Sequence, residues 1–284
     1  MLSPFSIPKW VRDCQVSFDP DTEAGSRRIE EIRARMAKFR DPDPEVTVVI
    51  PAYNEERDLL STLDSLSRQQ TRYRTLLLVV NNNSSDRTQE ILDQCGVSSL
   101  FEPRQGISYT RQTGLENARG TYYLSADADS LYPPGWIDAH VAVLQDQTVS
   151  CSYGSHAFLP EGEDSRVWLA VYEKIAQWFF KFRGMRSREY LNVLGFNFAI
   201  RRQDGLNVGG FNINRQRWQD GWMAMQMMQL GKLKKVESDQ GTVWTSSRRL
   251  QADGNLFQAF VKRMSIHSSK LVKYRAPTKN QVSS

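Results

Sequence analysis

The sequence predicts an α/β fold with a mainly parallel central sheet flanked by helices, and three observations carry that expectation. First, VTVVI at 46–50 and LLLVV at 76–80 are continuous apolar runs of strand length, the pattern of strands buried on both faces. Second, the segments between such runs place apolar residues at helical spacing, as in Leu59, Leu60, Leu63 and Leu66. Third, each strand-length run ends in a polar cluster: PAYNEE after the first, NNNSSD after the second, ADADS after the third. Strands alternating with helices require parallel pairing through right-handed crossovers. The polar clusters then mark the carboxyl ends of the strands, where open parallel sheets bind ligands.

Taken in order, residues 1–45 form an N-terminal arm whose charged helical pattern, SRRIEEIRARMAKF, is closed by the breaker DPDP at 41–44. Pro51 ends the first strand, and Asn54, Glu55 and Glu56 are expected to open the helix that follows. After the second strand, a short helix over 86–92 sits behind a cap at Ser84 and Ser85, and a further helix covers 106–119. The third strand spans 121–125. Residues 165–184, SRVWLAVYEKIAQWFFKFRG, are an aromatic amphipathic segment. Packing on the sheet is its plain reading, and a membrane-facing helix with basic flanks is the other. NVLGFNFAIRR supplies a later strand, and Asp220 stands at the start of a helix with Trp222, Met223, Met227 and Leu230 on its apolar side. The main domain is thus expected over 46–250, divided into 46–130 and 131–250, and residues 251–284 form a basic C-terminal extension.

Composition narrows the function classes. A chain of 284 residues with 40% apolar content can bury a sizeable core as one large domain or two small ones. No apolar run approaches the roughly 20 residues of a membrane span, and MLSPFSIPKWVRD lacks the basic-then-apolar order of a secretory signal. The expected location is cytoplasmic, in solution or at the cytoplasmic face of the membrane. Cys14, Cys95 and Cys151 are too few and too widely spaced for a disulfide framework or a zinc ribbon. From residue 242 to 284, eight Lys and Arg stand against the single acid Asp253, so this end carries +7 of the net +5 and the remainder about −2. Such a tail suits a solvated surface, a phosphate or an anionic lipid; no nucleic-acid motif accompanies it, and nucleic acid is not expected as a partner. Neither G-x-G-x-x-G nor G-x-x-x-x-G-K-[ST] occurs, which removes the best support for dinucleotide redox chemistry and P-loop hydrolysis.

The chemistry-bearing feature is Asp127 and Asp129 within ADADS. Alternate side chains of an extended segment share a face, so the two carboxylates can converge while Ala128 points away. Two hard oxygen ligands with open positions suit Mg2+ or Mn2+ bridging phosphates. An isolated pair of this kind is an ordinary turn; its place third in a series of strand-end motifs gives it weight. His156, a lone histidine after an apolar strand, is read as structural.

The motifs VTVVIPAYNEE, VVNNNSSDRT, QGISYTRQTGLENARGTYYLSADAD, GGFN and WQDGWMAMQMMQLGK resemble, in order and spacing over residues 46–250, those of the family 2 glycosyltransferases with the GT-A fold. The resemblance implies transfer of a sugar from a nucleotide diphosphate sugar to a hydroxyl of a glycan or lipid-linked acceptor, with inversion at the anomeric carbon. It places Pro51, Ala52, Tyr53 and Glu55 around the nucleoside, Asn82 where the family commonly has an Asp that reads the base, and Arg111 near the nucleotide. Asp127 is implied at the ribose or the metal hydration shell and Asp129 on the metal, with Mg2+ or Mn2+ as cofactor. Asp220 corresponds to the acceptor base, and a helix N-terminus favours a carboxylate there; the plainer role is a helix cap. Gln219 replaces the family's Glu beside it, and Asn81 departs from the usual Asp. Asn197 is a candidate sugar contact, and Arg248 and Arg249 are candidate cations over the phosphates. Three other classes remain: an inert nucleotide-sugar-binding protein on the same fold, a sugar-phosphate nucleotidylyltransferase, whose Gly-rich Arg-containing loop is missing, and a lipid-surface protein relying on the basic tail.

Overall fold

The computed structural model describes residues 5–15, 22–160, 165–184, 189–215 and 218–248, with the backbone alone for 176–184. Arg249 and the basic extension 251–284 lie outside the described residues. Helix α1 (Lys9–Cys14) is followed by α2 (Glu23–Met36), whose first turn is capped by Thr22 Oγ1 accepting from Gly25 N at 3.1 Å. The apolar stripe of α2 is part of the main core: Ile29, Ile32 and Met36 are buried there. Its polar stripe is anchored too, since Arg35 and, from the next helix, Arg68 meet the buried Asp64 carboxylate at 2.6 and 3.1 Å, joined by Arg28. The N-terminal arm therefore packs as a layer of the fold.

The central elements follow as β1 (Val46–Ala52), α3 (Leu59–Ser67), β2 (Thr75–Asn81), α4 (Thr88–Cys95), β3 (Ser98–Phe101), α5 (Ile107–Asn117) and β4 (Tyr122–Ser125). Then come β5 (Ser130–Leu131), α6 (Trp136–Leu144), β6 (Val149–Tyr153), β7 (Ser155–Leu159), α7 (Arg166–Gly184), β8 (Phe198–Arg201), α8 (Arg202–Asn207), α9 (Gln219–Met227), β9 (Lys232–Lys235) and β10 (Thr242–Ser246). Among the described residues a seven-stranded sheet runs β3-β2-β1-β4-β8-β6-β9, parallel except where β8 pairs antiparallel with β4 and β6. A smaller sheet runs β5-β10-β7. Every residue of β1 and β2 is buried, as their unbroken apolar runs require. In β1, Val46, Val48 and Ile50 face the core beneath α2, α3 and α6, while Val49 faces the core beneath α5 and α9.

Several boundaries differ from expectation. Asn54 has φ +52° and stands in a turn, so α3 begins only at Leu59. Ser84 and Ser85 do not cap α4; Asp86 Oδ1 accepts from Thr88 N at 3.0 Å instead. Strand β3, SSLF, carries no apolar run and was not expected. Helix α9 ends at Met227, leaving Leu230 half-exposed at 50%. The aromatic segment α7 divides: Leu169 and Ala170 are fully buried, whereas Val167, Trp168, Val171 and Ile175 are exposed. The three cysteines are free and buried. Among the described residues no helix is long and apolar enough to cross a membrane.

Candidate active site

Strand β1 has β2 on one side and β4 on the other, so the crossovers diverge at the carboxyl end of β1 and leave a crevice there. The observed cleft, about 1000 Å3, lies at this point. Pro51 and Ala52 line it from β1, Tyr53 and Glu55 from just beyond β1, Asn82 from just beyond β2, and Asp127 and Asp129 from beyond β4. Arg111 from α5 and Gln219 and Asp220 from α9 complete the expected set. Tyr53 is 51% exposed and offers an open ring face at the rim.

The rim is stitched by polar side chains. Asn54 Oδ1 accepts from Ser85 N at 2.9 Å and Asn54 N donates to Ser84 Oγ at 3.0 Å, so the loops after β1 and β2 hold each other. Asn81 Oδ1 accepts from Ser84 N at 3.0 Å while its amide donates to Gln89 at 2.9 Å. Asn82, almost wholly buried, donates to the carbonyls of Glu102 and Arg104 at 3.0 and 2.6 Å and accepts from Gly106 N at 2.8 Å. Its amide fastens the loops after β2 and β3 to the start of α5. A carboxylate there would face two carbonyl oxygens with nothing to donate.

The acidic pair is fixed from below. Thr62 Oγ1 of α3 donates to Ala128 O at 2.7 Å and accepts from Ser130 N at 3.2 Å. Asp127 N donates to Tyr132 Oη at 2.8 Å, and Ala128 is buried in the core, so the two acidic side chains on either side of it reach the cleft. Asp127 Oδ1 accepts from Arg111 Nη2 at 3.1 Å. Burial alone would lower the Arg111 pKa, but Asp127 and Asp220 outweigh it and hold that pKa above its ordinary value.

Asp220 lines the same cleft. It is the second residue of α9 and does not cap it; Trp218, at the cap position, has φ +68°. Asp220 Oδ1 accepts from Gly221 N at 2.8 Å and Oδ2 from Gly195 N at 2.9 Å. Gly195 is a site residue that sequence reading passed over. A Cβ there would lie 2.1 Å from Arg111 Nη2, and Ser125 Oγ donates to its carbonyl at 2.6 Å. Its position inside NVLGFNF was the one available signal. The left-handed backbone of Trp218 costs about 1 to 2 kcal/mol in a non-glycine residue. The turn fits because Gly221 leaves room: a Cβ there would lie 2.0 Å from Trp218 Nε1. Gln219 Nε2 donates to Ser108 Oγ at 2.8 Å and Arg215 O at 2.7 Å, a bond set that a Glu could not make.

Arg248 reaches the cleft edge, where it donates to Glu55 Oε2 at 2.9 Å and lies 3.6 Å from Asp129 Oδ2. Burial raises the Glu55 pKa above its ordinary value, against the opposing hydrogen bond from Arg248. One expected residue is not brought to the site. Asn197 precedes β8, is fully buried, and is spent on the fold: it donates to Ser155 O at 2.6 Å and Gly241 O at 3.0 Å, and accepts from Trp136 Nε1 at 2.9 Å. It has no polar group left for a sugar. His156 packs edge-on to Phe158 and Phe196, as a structural histidine should.

The donor set fits a hard divalent cation. Among the described residues no group of three or more His, Cys, Asp or Glu gathers as a metal cage. Asp127 and Asp129 are two carboxylates at a cleft wall, which matches an ion that takes one or two protein oxygens and completes its shell from phosphates and water.

The sequence model of Glycosyl transferase family 2 matches residues 47–205. Among curated proteins, the chain is 27% identical over 188 residues to a glucosyl-dolichyl phosphate glucuronosyltransferase of Haloferax volcanii, covering 61% of this chain and 57% of that protein. It is 27% identical over 127 residues to the glycosyltransferase GlyA of Streptococcus pneumoniae, covering 43% of this chain and 18% of that protein. The chain thus spans less than two thirds of the length of these relatives. A mannosyltransferase from Pyrobaculum calidifontis, solved in complex with GDP-Man and Mn2+, superposes with a TM-score of 0.54 at 19% identity, over 89% of this chain and 74% of that one. TarS 1-349 of S. aureus in complex with UDP gives 0.54 at 15% identity, over 71% of this chain and 60% of that one. At such identities the likeness speaks for the fold.

Proposed function

Because the chain belongs to glycosyl transferase family 2 and has the GT-A fold, we propose that it moves a sugar from a nucleotide diphosphate sugar to an acceptor hydroxyl, inverting the anomeric carbon. The observation that carries this reading is that Asp127, Asp129 and Asp220 line one cleft, with Arg111 paired to Asp127 and its charge supported by both Asp127 and Asp220. Pro51, Ala52, Tyr53 and Glu55 form the nucleoside wall, and Asn82 shapes it through the loops it fastens. GDP-Man in the Pyrobaculum enzyme and UDP in TarS support a nucleotide donor of this class.

Asp127 and Asp129 would hold Mg2+ or Mn2+, which when bound supplies positive charge against the leaving diphosphate. Asp220 takes the proton of the acceptor hydroxyl as that oxygen attacks the anomeric carbon from the face opposite the nucleotide. Two backbone N–H groups fix the Asp220 carboxylate, so its orientation is set before the acceptor arrives. The bond to the diphosphate breaks in the same displacement, through a transition state of oxocarbenium character as in glycoside hydrolysis. The acceptor is a glycan or a lipid-linked sugar, in polysaccharide, glycolipid or cell-envelope glycan synthesis; the Haloferax relative's name supports the lipid-linked form.

The test begins with thermal shift against a panel of nucleotide sugars with Mn2+ or Mg2+, followed by transfer or hydrolysis of whichever donor stabilises the protein. Asp220→Asn should keep donor binding and lose turnover by about 10²-fold or more. Turnover at the parent rate removes Asp220 from the role of base, and stabilisation by no donor removes the transferase reading.

A further inference from the structure

The carboxyl end of β10 is tied to the acidic pair by several contacts. Ser246 N donates to Asp129 O at 3.1 Å, Thr245 pairs with Ser130, and Ser130 Oγ donates to Thr245 Oγ1 at 2.9 Å. Two residues later, Arg248 N donates to Ser246 Oγ at 3.1 Å. The guanidinium then meets three carboxylates at once: Nη2 lies 2.9 Å from Glu55 Oε2 and 3.6 Å from Asp129 Oδ2, and Nη1 lies 3.3 Å from Asp58 Oδ2. Arg57 lies 3.8 Å from the other oxygen of Asp58, so that carboxylate is shared. The Glu55 and Asp58 contacts are shorter than the Asp129 contact, so the hold on Asp129 is the weakest of the three.

We infer that Arg248 is a positioning residue that shares Asp129 with the divalent cation, holding that carboxylate until the cation arrives and then giving it up to bind the diphosphate. This rests on the proposed metal-assisted transfer and goes beyond it. A cation ligated by Asp129 at about 2.0 to 2.6 Å competes with the guanidinium, 3.6 Å away, for the charge of one carboxylate. Like charge expels Arg248 from Asp129, while Glu55 and Asp58 keep the side chain at the cleft edge. Its planar fork suits the two oxygens of a phosphate, and a donor that brings cation and diphosphate together converts the repulsion into attraction. The cleft therefore exchanges one internal cation for one external cation as the donor loads.

The inference sets two affinities moving in opposite directions. Titration with Mn2+ alone, followed by the electron paramagnetic resonance of the free ion, should show Arg248→Gln binding Mn2+ about 5-fold tighter than the parent or more, the low end of usual coupling between two ligands of one site. At saturating Mn2+ the same variant should bind UDP and GDP about 10-fold more weakly, having lost a charge-assisted phosphate contact. Circular dichroism checks that it folds. Arg248→Lys is the second variant, with a Mn2+ affinity between the two because one ammonium cannot span all three acids. Equal or weaker Mn2+ binding by both variants overturns the inference. Asp129→Asn separates the two levels. If Mn2+ binding is lost in Asp129→Asn but indifferent to Arg248→Gln, the shared carboxylate fails and the metal site stands. If Mn2+ binds the parent and Asp129→Asn alike, or binds no variant, both fall.

Discussion

Asn82 and Gln219 stand where the resemblance in sequence leads one to expect acids, and at both positions the fold uses the N–H groups of the amide. Asn82 donates to two carbonyls and Gln219 to a hydroxyl and a carbonyl, all beside the cleft. Asn82→Asp should therefore destabilise the protein by about 1 to 3 kcal/mol in urea unfolding, the cost of buried acceptors left facing one another. Unchanged stability would show that the loop rearranges around a carboxylate. Gly195→Ala should lower turnover at least about 10-fold, because its methyl group must displace the Arg111 guanidinium and disturb the amide that holds Asp220. Transfer at the parent rate by a folded Gly195→Ala protein would show the contact to be slack. That Asp127, Asp129 and Asp220 meet at one cleft was legible in the sequence because their motifs are in register. Gly195 acts through its amide and through the absence of a side chain, and one sequence carries no mark of either.

Strands β1 and β2 were read from sequence because burial on both faces leaves an unbroken apolar run, whereas β3 pairs only with β2 and needs no such run. The start of α3 was misplaced for a different reason: Asn54 bonds across to the loop after β2, and a local helix signal cannot register a partner thirty residues away. Asn197 failed as a sugar contact on the same ground. It binds α6 through Trp136, and the segments at Ser155 and Gly241 through its amide. Asn197→Ala should cost about 2 to 4 kcal/mol, since it leaves several buried groups unpaired. Donor affinity, measured below the lowered melting temperature, should stay at the parent value; a selective loss of donor affinity without loss of stability would restore Asn197 to the site.

Across the whole molecule, the sheet's second half depends on a buried histidine. His140 lies between Ser152 Oγ at 2.9 Å and Asn197 Oδ1 at 3.0 Å, and since Asn197 Oδ1 only accepts, Nε2 carries the ring proton. Burial pushes its pKa down from 6.5 to about 4. As pH falls, the unfolded chain takes up the proton first. The stability from the neutral ring is thus complete above about pH 6.5 and is lost progressively as pH falls to about 4, a change of about 3 kcal/mol. Urea unfolding between pH 7 and pH 4.5 should show that slope in the parent and a flatter one in His140→Gln; parallel slopes would remove His140 as the source. The parallel architecture was legible from motif order, while the second sheet was not, because β5 has only two residues and its partner lies more than a hundred positions later.

Strand β10 has one more consequence, for how such a protein can be recombined. The family match ends at residue 205, yet Asp129 is backed by residues 242–246 and shares its cleft with Asp220. A crossover placed at the end of the matched region would transplant Asp127 and Asp129 without the strand that supports them or the acid that shares their cleft. Exchange of donor preference between relatives should therefore succeed only when residues 242–248 travel with residues 47–130, which makes the donor site one heritable module written in two separated pieces of the chain.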